Sequence, residues 1–156
     1  MISLTVVILT KNEQNNIEGC LKSVYRWADE IIIVDDESTD STRKIASHYA
    51  DKILVKKMDI EGAHRNWAYQ QAKNDWVLSL DADERVTEEL KEEITDALNY
   101  PGEAVAFSIP RRNFIGDYWV KYGGWYPSAQ LKLFKKDKFK WEEAHVHPVA
   151  FVEGGT

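Results

Sequence analysis

Over its first hundred residues the chain repeats one pattern: a short aliphatic, β-branched run, then a polar loop, then apolar residues at helical spacing. A run such as Ile31-Ile32-Ile33-Val34 shows no polar alternation, so both faces of that strand must be covered. Strands of this kind belong to sheets layered with helices on both sides. The pattern therefore predicts an α/β fold with a mostly parallel central sheet flanked by helices. Strands are expected at residues 4–9, 30–34, 52–55 and 76–80.

The helical segments follow from periodicity and caps. Ile17, Leu21, Val24, Tyr25 and Ala28 share one face, with Asn15 or Asn16 as the cap. Asp40 is expected to cap a helix carrying Ile45, Ala46 and Tyr49, and a third helix is expected over residues 61–72. Thr87 opens a fourth, in which Leu90, Ile94, Ala97 and Leu98 keep the period until the turn Tyr100-Pro101-Gly102. Beyond Ala104 the pattern changes to a smaller mixed β part, with strands at 105–110 and 130–135 around a long loop rich in glycine and aromatics. At 156 residues this reads as one domain, a βα layer of about residues 1–100 followed by an irregular part of about 101–156.

Charge and composition narrow the function classes. A net charge of -6 argues against a nucleic-acid binder that works by covering phosphates with Lys and Arg. The single cysteine, Cys20, excludes an internal disulfide and a multi-cysteine zinc site, and its place on a helical apolar stripe makes it a core residue. No apolar run approaches the roughly 20 residues of a spanning helix. The N-terminal residues lack a basic flank and a cleavage site, so they read as a strand and not as a signal peptide. The chain stops directly after an apolar stretch, which leaves open a C-terminal truncation and a membrane attachment carried by a further segment.

In parallel α/β sheets ligands bind beyond the carboxyl ends of the strands, so the residues that follow each strand carry the chemistry. Here Thr10-Lys11-Asn12, Asp35-Asp36-Glu37-Ser38 and Asp81-Ala82-Asp83-Glu84 are expected to converge on one edge. Asp81 and Asp83 are two apart, so in an extended segment both carboxylates face one way, and such an oxygen-rich site suits Mg²⁺ or Mn²⁺. The alternative is that Asp83 or Glu84 merely leads into a capped helix. Asp35 and Asp36 suit a ribose hydroxyl or a base imide, or else a solvated turn. Further on, Trp141-Glu142-Glu143-Ala144-His145-Val146-His147-Pro148 gathers two carboxylates and two imidazoles, enough for an acid–base and metal-binding cluster. His145 and His147 share a face if that segment is extended. Phe114, Tyr118, Trp119, Tyr122, Trp125 and Tyr126, interleaved with Gly116, Gly123 and Gly124, suit a loop that stacks on sugars, or else a core plug or partner surface. Arg111, Arg112 and Lys132 suit phosphates or solvent.

Four phrases in this order, VVILTKNEQNNI, IIIVDDESTDST, RNWAYQQAKNDWVLSLDADE and LKLFKKDKFKW, resemble the large inverting glycosyltransferase family of GT-A fold, family 2. The resemblance covers nearly the whole chain and is closest to bacterial members acting on lipopolysaccharide core and other cell-surface glycans. It implies a GT-A type sheet and transfer of a sugar from a nucleotide-sugar donor, expected to be a UDP-sugar, to a hydroxyl of a glycan or lipid-linked acceptor. By the same resemblance Thr10 and Asn12 line the nucleotide pocket, Asp36 binds the base with Asp35 beside it, and Arg65 contacts the nucleotide. Asp81 would lie against the ribose or donor sugar, and Asp83 would ligate the metal that bridges the diphosphate. Similar sequences carry a His-Glu pair where this chain has His147-Pro148, so the base is sought at Glu143 or Glu142, with His147 as a metal or diphosphate contact. A cytoplasmic location, at the inner membrane face when the acceptor is lipid-linked, follows from where such donors are found.

Two other classes share parts of this pattern. A receiver-type signalling domain also gathers acids around Mg²⁺ at strand ends, but its acid pair follows the first strand. Here the pair follows the second, and strand one ends in Thr-Lys-Asn. A non-catalytic nucleotide-sugar-binding module would keep the donor residues without a base.

Overall fold

The computed structural model describes residues 2–115, 118–120, 128–144 and 148–155. Four parallel strands and the helices between them make the first layer of the architecture. These are β1 (Ile2–Thr10), α1 (Ile17–Val24), β2 (Ala28–Asp35), α2 (Thr42–Ala46), β3 (Lys52–Val55), α3 (Glu61–Gln70), β4 (Trp76–Asp81) and α4 (Glu88–Asn99). The second part contributes β5 (Ala106–Arg111), β6 (Asn113–Ile115), β7 (Tyr118–Val120), β8 (Ser128–Lys135), β9 (Phe139–Trp141) and β10 (Ala150–Val152). One six-stranded sheet runs in the order β3-β2-β1-β4-β8-β5. Its first four strands are parallel, whereas β8 joins β4 antiparallel and pairs with β5 on its outer side. The chain is thus α/β with a mainly parallel sheet, as expected, and two small hairpins, β6–β7 and β9–β10, complete it.

Alternation along β1 divides the core between the two faces of the sheet. Leu4, Val6 and Ile8 pack with Ile17, Leu21 and Val24 of α1 and with Ile94 of α4 on one face. Val7 turns to the other face, where Ala68 and Tyr69 of α3 meet Phe134 and Phe139. There the Phe134 and Phe139 rings stack at 3.9 Å between centroids, and Tyr69 meets Phe134 edge-on at 4.8 Å. The β9 segment is held to α3 by an amide clasp. Asn66 Nδ2 donates to the Trp141 carbonyl at 2.9 Å, and Trp141 N donates to Asn66 Oδ1 at 2.8 Å.

Several boundaries differ from the sequence expectation for identifiable reasons. The first helix stops at Val24, because Tyr25 is extended and Arg26 adopts φ 62°, which turns the chain into β2. Ala28 is buried as the first residue of that strand and not as a last helical turn, and Tyr25 is 41% exposed. The cap of α1 sits at Asn16, yet its side chain donates to Glu13 and does not cap the helix. Ser41, not Asp40, is the residue preceding α2, although the Asp40 carboxylate still accepts from Thr42 N at 2.9 Å. Thr87 caps α4 as expected, accepting from Leu90 N at 3.1 Å. Within the aromatic stretch, Asn113–Ile115 and Tyr118–Val120 pair as an antiparallel hairpin. The sugar-stacking expectation for Tyr122, Trp125 and Tyr126 lies outside the described residues.

Candidate active site at the carboxyl edge of the sheet

Strand register brings the three polar loops together. Thr10 pairs with Asp35 across β1 and β2, and Leu9 pairs with Asp81 across β1 and β4. The loops that follow these strands therefore leave the sheet at one level. A cavity of about 460 Å³ opens above them, lined among others by Thr10, Asp36, His64, Arg65, Asp81 and Asp83. A second cavity of about 560 Å³ lies on the side of β8 and is lined by Ser79, Ser108, Arg111, Gln130, Lys132 and Trp141, among others. Glu61, Arg65 and Asp81 line both, so the Arg65–Asp81 pair stands at the junction.

The two acids after β2 do different things. The Asp35 side chain is fully buried and accepts from Ser38 N at 2.8 Å and from Ser38 Oγ at 2.6 Å, with Arg43 Nε at 3.6 Å. Its carboxylate organises the loop and is not part of the cavity wall. Asp36 faces the cavity, while its Oδ1 accepts from Met58 N at 2.9 Å and its Oδ2 lies 3.7 Å from the exposed ammonium of Lys11. Asn12 has φ 51° and joins two loops: its N donates to Ser38 Oγ and its Oδ1 accepts from Thr39 N, each at 2.8 Å. It therefore ties the loop after β1 to the loop after β2.

Asp81 and Asp83 come together by a route the sequence did not suggest. Asp81 ends β4, and Glu84 N donates back to the Asp81 carbonyl at 3.0 Å, so Ala82-Asp83 forms a turn and not an extended continuation of the strand. Both carboxylates nevertheless line the first cavity. Glu84 closes the turn, since its Oε1 accepts from Asp81 N at 2.7 Å and from Lys132 Nζ at 2.9 Å. Lys132 also approaches Asp81 Oδ2 at 3.5 Å, and Arg65 Nη2 lies 3.8 Å from Asp81 Oδ1. Asp81 is thus flanked by two cations, both held in largely buried positions. The Arg65 guanidinium also sits over the Trp141 ring at 5.9 Å.

For a hard divalent ion this wall offers oxygen donors from Asp81 and Asp83. Among the described residues no group of three or more His, Cys, Asp or Glu side chains converges as a metal cage. That donor set fits Mg²⁺ or Mn²⁺ arriving with phosphate oxygens, because a small, strongly hydrated ion is ordinarily held by one or two carboxylates together with the substrate's phosphates. His147, the further ligand expected from sequence, lies outside the described residues, as does His145. Glu142 and Glu143 are exposed and line neither cavity, and Glu142 Oε2 accepts weakly from Val149 N at 3.4 Å. Their backbone, however, is pressed against α3, where a Cβ on Gly62 would collide with the Glu142 carbonyl oxygen.

Sequence reasoning left His64 and Glu84 without a site role, and gave Lys132 only a choice between phosphate and solvent. Glu84 is the third residue after Asp81, the spacing at which an acid reaches back over a turn, so a signal existed. No local signal marks His64, whose burial comes from how α3 seats on the sheet. Among the described residues, two buried side-chain polar atoms lack a hydrogen-bond partner, Thr10 Oγ1 and His64 Nδ1, and both residues line the first cavity.

Comparison with known proteins shows the family and the fold. The profile of glycosyl transferase family 2 matches residues 5–152. An uncharacterised glycosyltransferase of Rickettsia bellii is 43% identical over 91 residues, covering 58% of this chain and 31% of that protein. The chain thus spans about a third of that relative's length. The lipopolysaccharide core biosynthesis glycosyltransferase LpsC of Rhizobium meliloti is 26% identical over 99% of this chain and 59% of its own length. Among solved structures, S. aureus TarS in complex with UDP-GlcNAc superposes with a TM-score of 0.53 at 27% identity, over 64% of this chain and 31% of that one.

Proposed function

Because the chain belongs to glycosyl transferase family 2, we propose that it moves a sugar from a nucleotide-sugar donor, a UDP-sugar in the first instance, to an acceptor hydroxyl. In this reading the reaction inverts the anomeric carbon, depends on Mg²⁺ or Mn²⁺, and serves lipopolysaccharide or other cell-surface glycan synthesis. The observation that carries the reading is the cavity that joins Asp36 at one end to Asp81, Asp83 and Arg65 at the other. In this reading the base reader and the charged residues for the phosphates line one cavity. The similarity to TarS with UDP-GlcNAc supports the donor class, and that to LpsC supports the glycan class.

Each end has definite work. Asp36 presents an acceptor-only carboxylate to the base or ribose. Asp83, exposed on the turn, would hold the divalent ion with Asp81 beside it. When bound, the ion supplies Lewis-acid neutralisation of the charge that develops on the diphosphate as the sugar departs. Arg65 and Lys132 add fixed positive charge at the junction, where burial makes it worth more than in water. The second cavity, with the Trp141 ring and the hydroxyls of Ser79 and Ser108, would take the sugar and the acceptor. We assign the proton-accepting base to Glu143 or Glu142, whose backbone abuts α3 beside Arg65, and a metal or diphosphate contact to His147. Among the described residues no helix is long and apolar enough to cross a membrane. In the same reading the protein works in the cytoplasm, and a lipid-linked acceptor would bring it to the inner membrane face as a peripheral protein.

Thermal-shift measurements with UDP, GDP, CDP and ADP, each with and without Mn²⁺, test the reading. One diphosphate should raise the melting temperature in a metal-dependent way; no response to any of the four would overturn it. The base is tested separately with Glu142→Gln and Glu143→Gln. The base variant should lose transfer by roughly 10²–10⁴-fold while diphosphate affinity stays put. If both variants transfer normally, neither is the base. Binding without transfer or donor hydrolysis in the wild type would instead favour a non-catalytic module.

A further inference from the structure

Among the described residues His64 is the one imidazole on the wall of the first cavity, and the proposed chemistry does not use it. It is 5% exposed, and its Nδ1 is buried without a partner among the described residues. Its backbone N–H is already satisfied by the Ile60 carbonyl at 2.9 Å, so only the ring's capacity remains. An unmet buried ring nitrogen is costly in a folded protein unless something else meets it. Thr10 Oγ1, on the same wall, is in the same condition.

Position along the cavity indicates which part of a ligand His64 would meet. Asp36 follows β2 and Asp81 ends β4, with β1 between them in the sheet. The two acids are therefore separated by about two strand spacings, roughly 10 Å. Arg65 points to the Asp81 end, where it forms its ion pair. His64 precedes it on α3 and so projects about 100° away around the helix axis. Burial favours the neutral ring, an effect that the nearby Asp36 charge opposes and that Lys56 and Arg65 reinforce. A neutral imidazole offers one N–H donor and one acceptor, whereas Asp36, on the same cavity wall, only accepts.

We infer that His64 is a specificity-determining residue that works with Asp36 to read the nucleobase edge, selecting uracil over cytosine. The inference rests on the nucleotide-sugar reading above. Uracil presents an imide N–H next to a carbonyl: the N–H donates to the Asp36 carboxylate and the carbonyl accepts from the His64 ring. Cytosine has the same size but presents a bare ring nitrogen where uracil has N–H. That lone pair would face the Asp36 carboxylate, and the amino group in place of the carbonyl would face the imidazole donor. A site built to hydrogen-bond one edge rejects the isostere because its own buried groups are left unpaired.

The experiment measures the affinity of UDP and CDP, each with Mn²⁺, by calorimetry for the wild type, His64→Leu and His64→Gln. Both nucleotides carry the same ribose and diphosphate, so contacts to those groups cancel in the ratio. The wild type should prefer UDP, and His64→Leu should lower the UDP-to-CDP preference by roughly tenfold, the value of one hydrogen bond. His64→Gln keeps an N–H donor and should retain part of the preference. If circular dichroism shows that His64→Leu does not fold, His64→Gln carries the test alone: a reduced UDP-to-CDP ratio supports the role of His64, and the full wild-type ratio overturns it. A folded His64→Leu with the wild-type ratio overturns the role of His64 and leaves the donor site standing. A wild type that prefers CDP overturns the edge selection. A wild type that binds no diphosphate overturns the donor-site reading itself, and the inference with it.

Discussion

Asp35, Asp36, Asp81 and Asp83 look equivalent in sequence but have four different surroundings, and their substitutions should separate accordingly. Asp83 is exposed on its turn, so Asp83→Ala should leave the melting temperature within about 1 °C while abolishing the Mn²⁺ dependence of diphosphate binding. Metal-dependent stabilisation that survives in this variant would remove Asp83 from the site. Asp35→Ala should do the reverse. It leaves Ser38 N unpaired and the Ser38 hydroxyl proton without its acceptor in a buried loop, and should destabilise by about 2–3 kcal/mol in urea unfolding. His64 gives a pH prediction. Its ring is held below the usual 6.5 mainly by burial, so as pH falls through 6.5 the unfolded chain takes up a proton before the folded one does. Stability should therefore fall from about 6.5 down to the depressed folded value, and urea midpoints of wild type and His64→Gln should differ in slope across that window. Parallel slopes would contradict it. Cys20 behaves as expected of a core residue: burial pushes its thiol up to about 12, so it stays protonated.

At the scale of elements, α3 is the hinge of the arrangement, because it touches the sheet, both cavities and the segment after β9. Gly62 permits that contact. In an exposed helix a Gly→Ala change adds up to about 1 kcal/mol of stability through propensity. Here the added methyl would run into the Glu142 carbonyl, which is backbone and cannot rotate away. Gly62→Ala should therefore destabilise by about 1–3 kcal/mol, and should reduce transfer more than it reduces diphosphate affinity. An Ala variant more stable than the wild type would show that the 142–143 segment moves freely. Element identity was legible in sequence because each strand and helix carries its own period. Ends were less so. The α1 stripe runs on to Ala28 since that residue is buried in either conformation, and only the backbone of Tyr25 and Arg26 decides which it adopts.

Over the whole molecule, the two edges of the sheet divide stability from function. Away from the cavity, near the entrance of β2, Glu30 is nearly fully buried. It accepts from Thr5 Oγ1 at 2.8 Å and Lys73 N at 2.9 Å, with Lys52 Nζ at 3.3 Å. Glu30→Ala should lower the unfolding free energy by about 3 kcal/mol, since it strips partners from buried donors. Diphosphate affinity of the folded fraction should not change, and a loss of affinity parallel to the loss of stability would mean that the two edges are coupled. At the carboxyl edge, polar groups are instead left facing a cavity.

The sequence by itself determined the α/β class and the order of the parallel strands' polar loops, and it pointed to Thr10, Asp36, Asp81 and Asp83 at strand ends; Arg65, inside α3, came only from the family resemblance. The class and the strand-end residues are legible because burial on both faces forces unbroken aliphatic runs, and the residues that interrupt them must lie at strand ends. Tertiary structure alone decided that Asp35 and Asn12 brace the loops after β1 and β2, that a turn closed by Glu84 and Lys132 presents Asp81 and Asp83, and that His64 faces the same space. Those roles depend on which strand lies beside which and on how α3 is seated. The Asp35–Ser38 and Asp81–Glu84 contacts span three residues, but Asn12–Ser38 and Lys132–Glu84 join residues tens of positions apart, where no local period carries a trace of them.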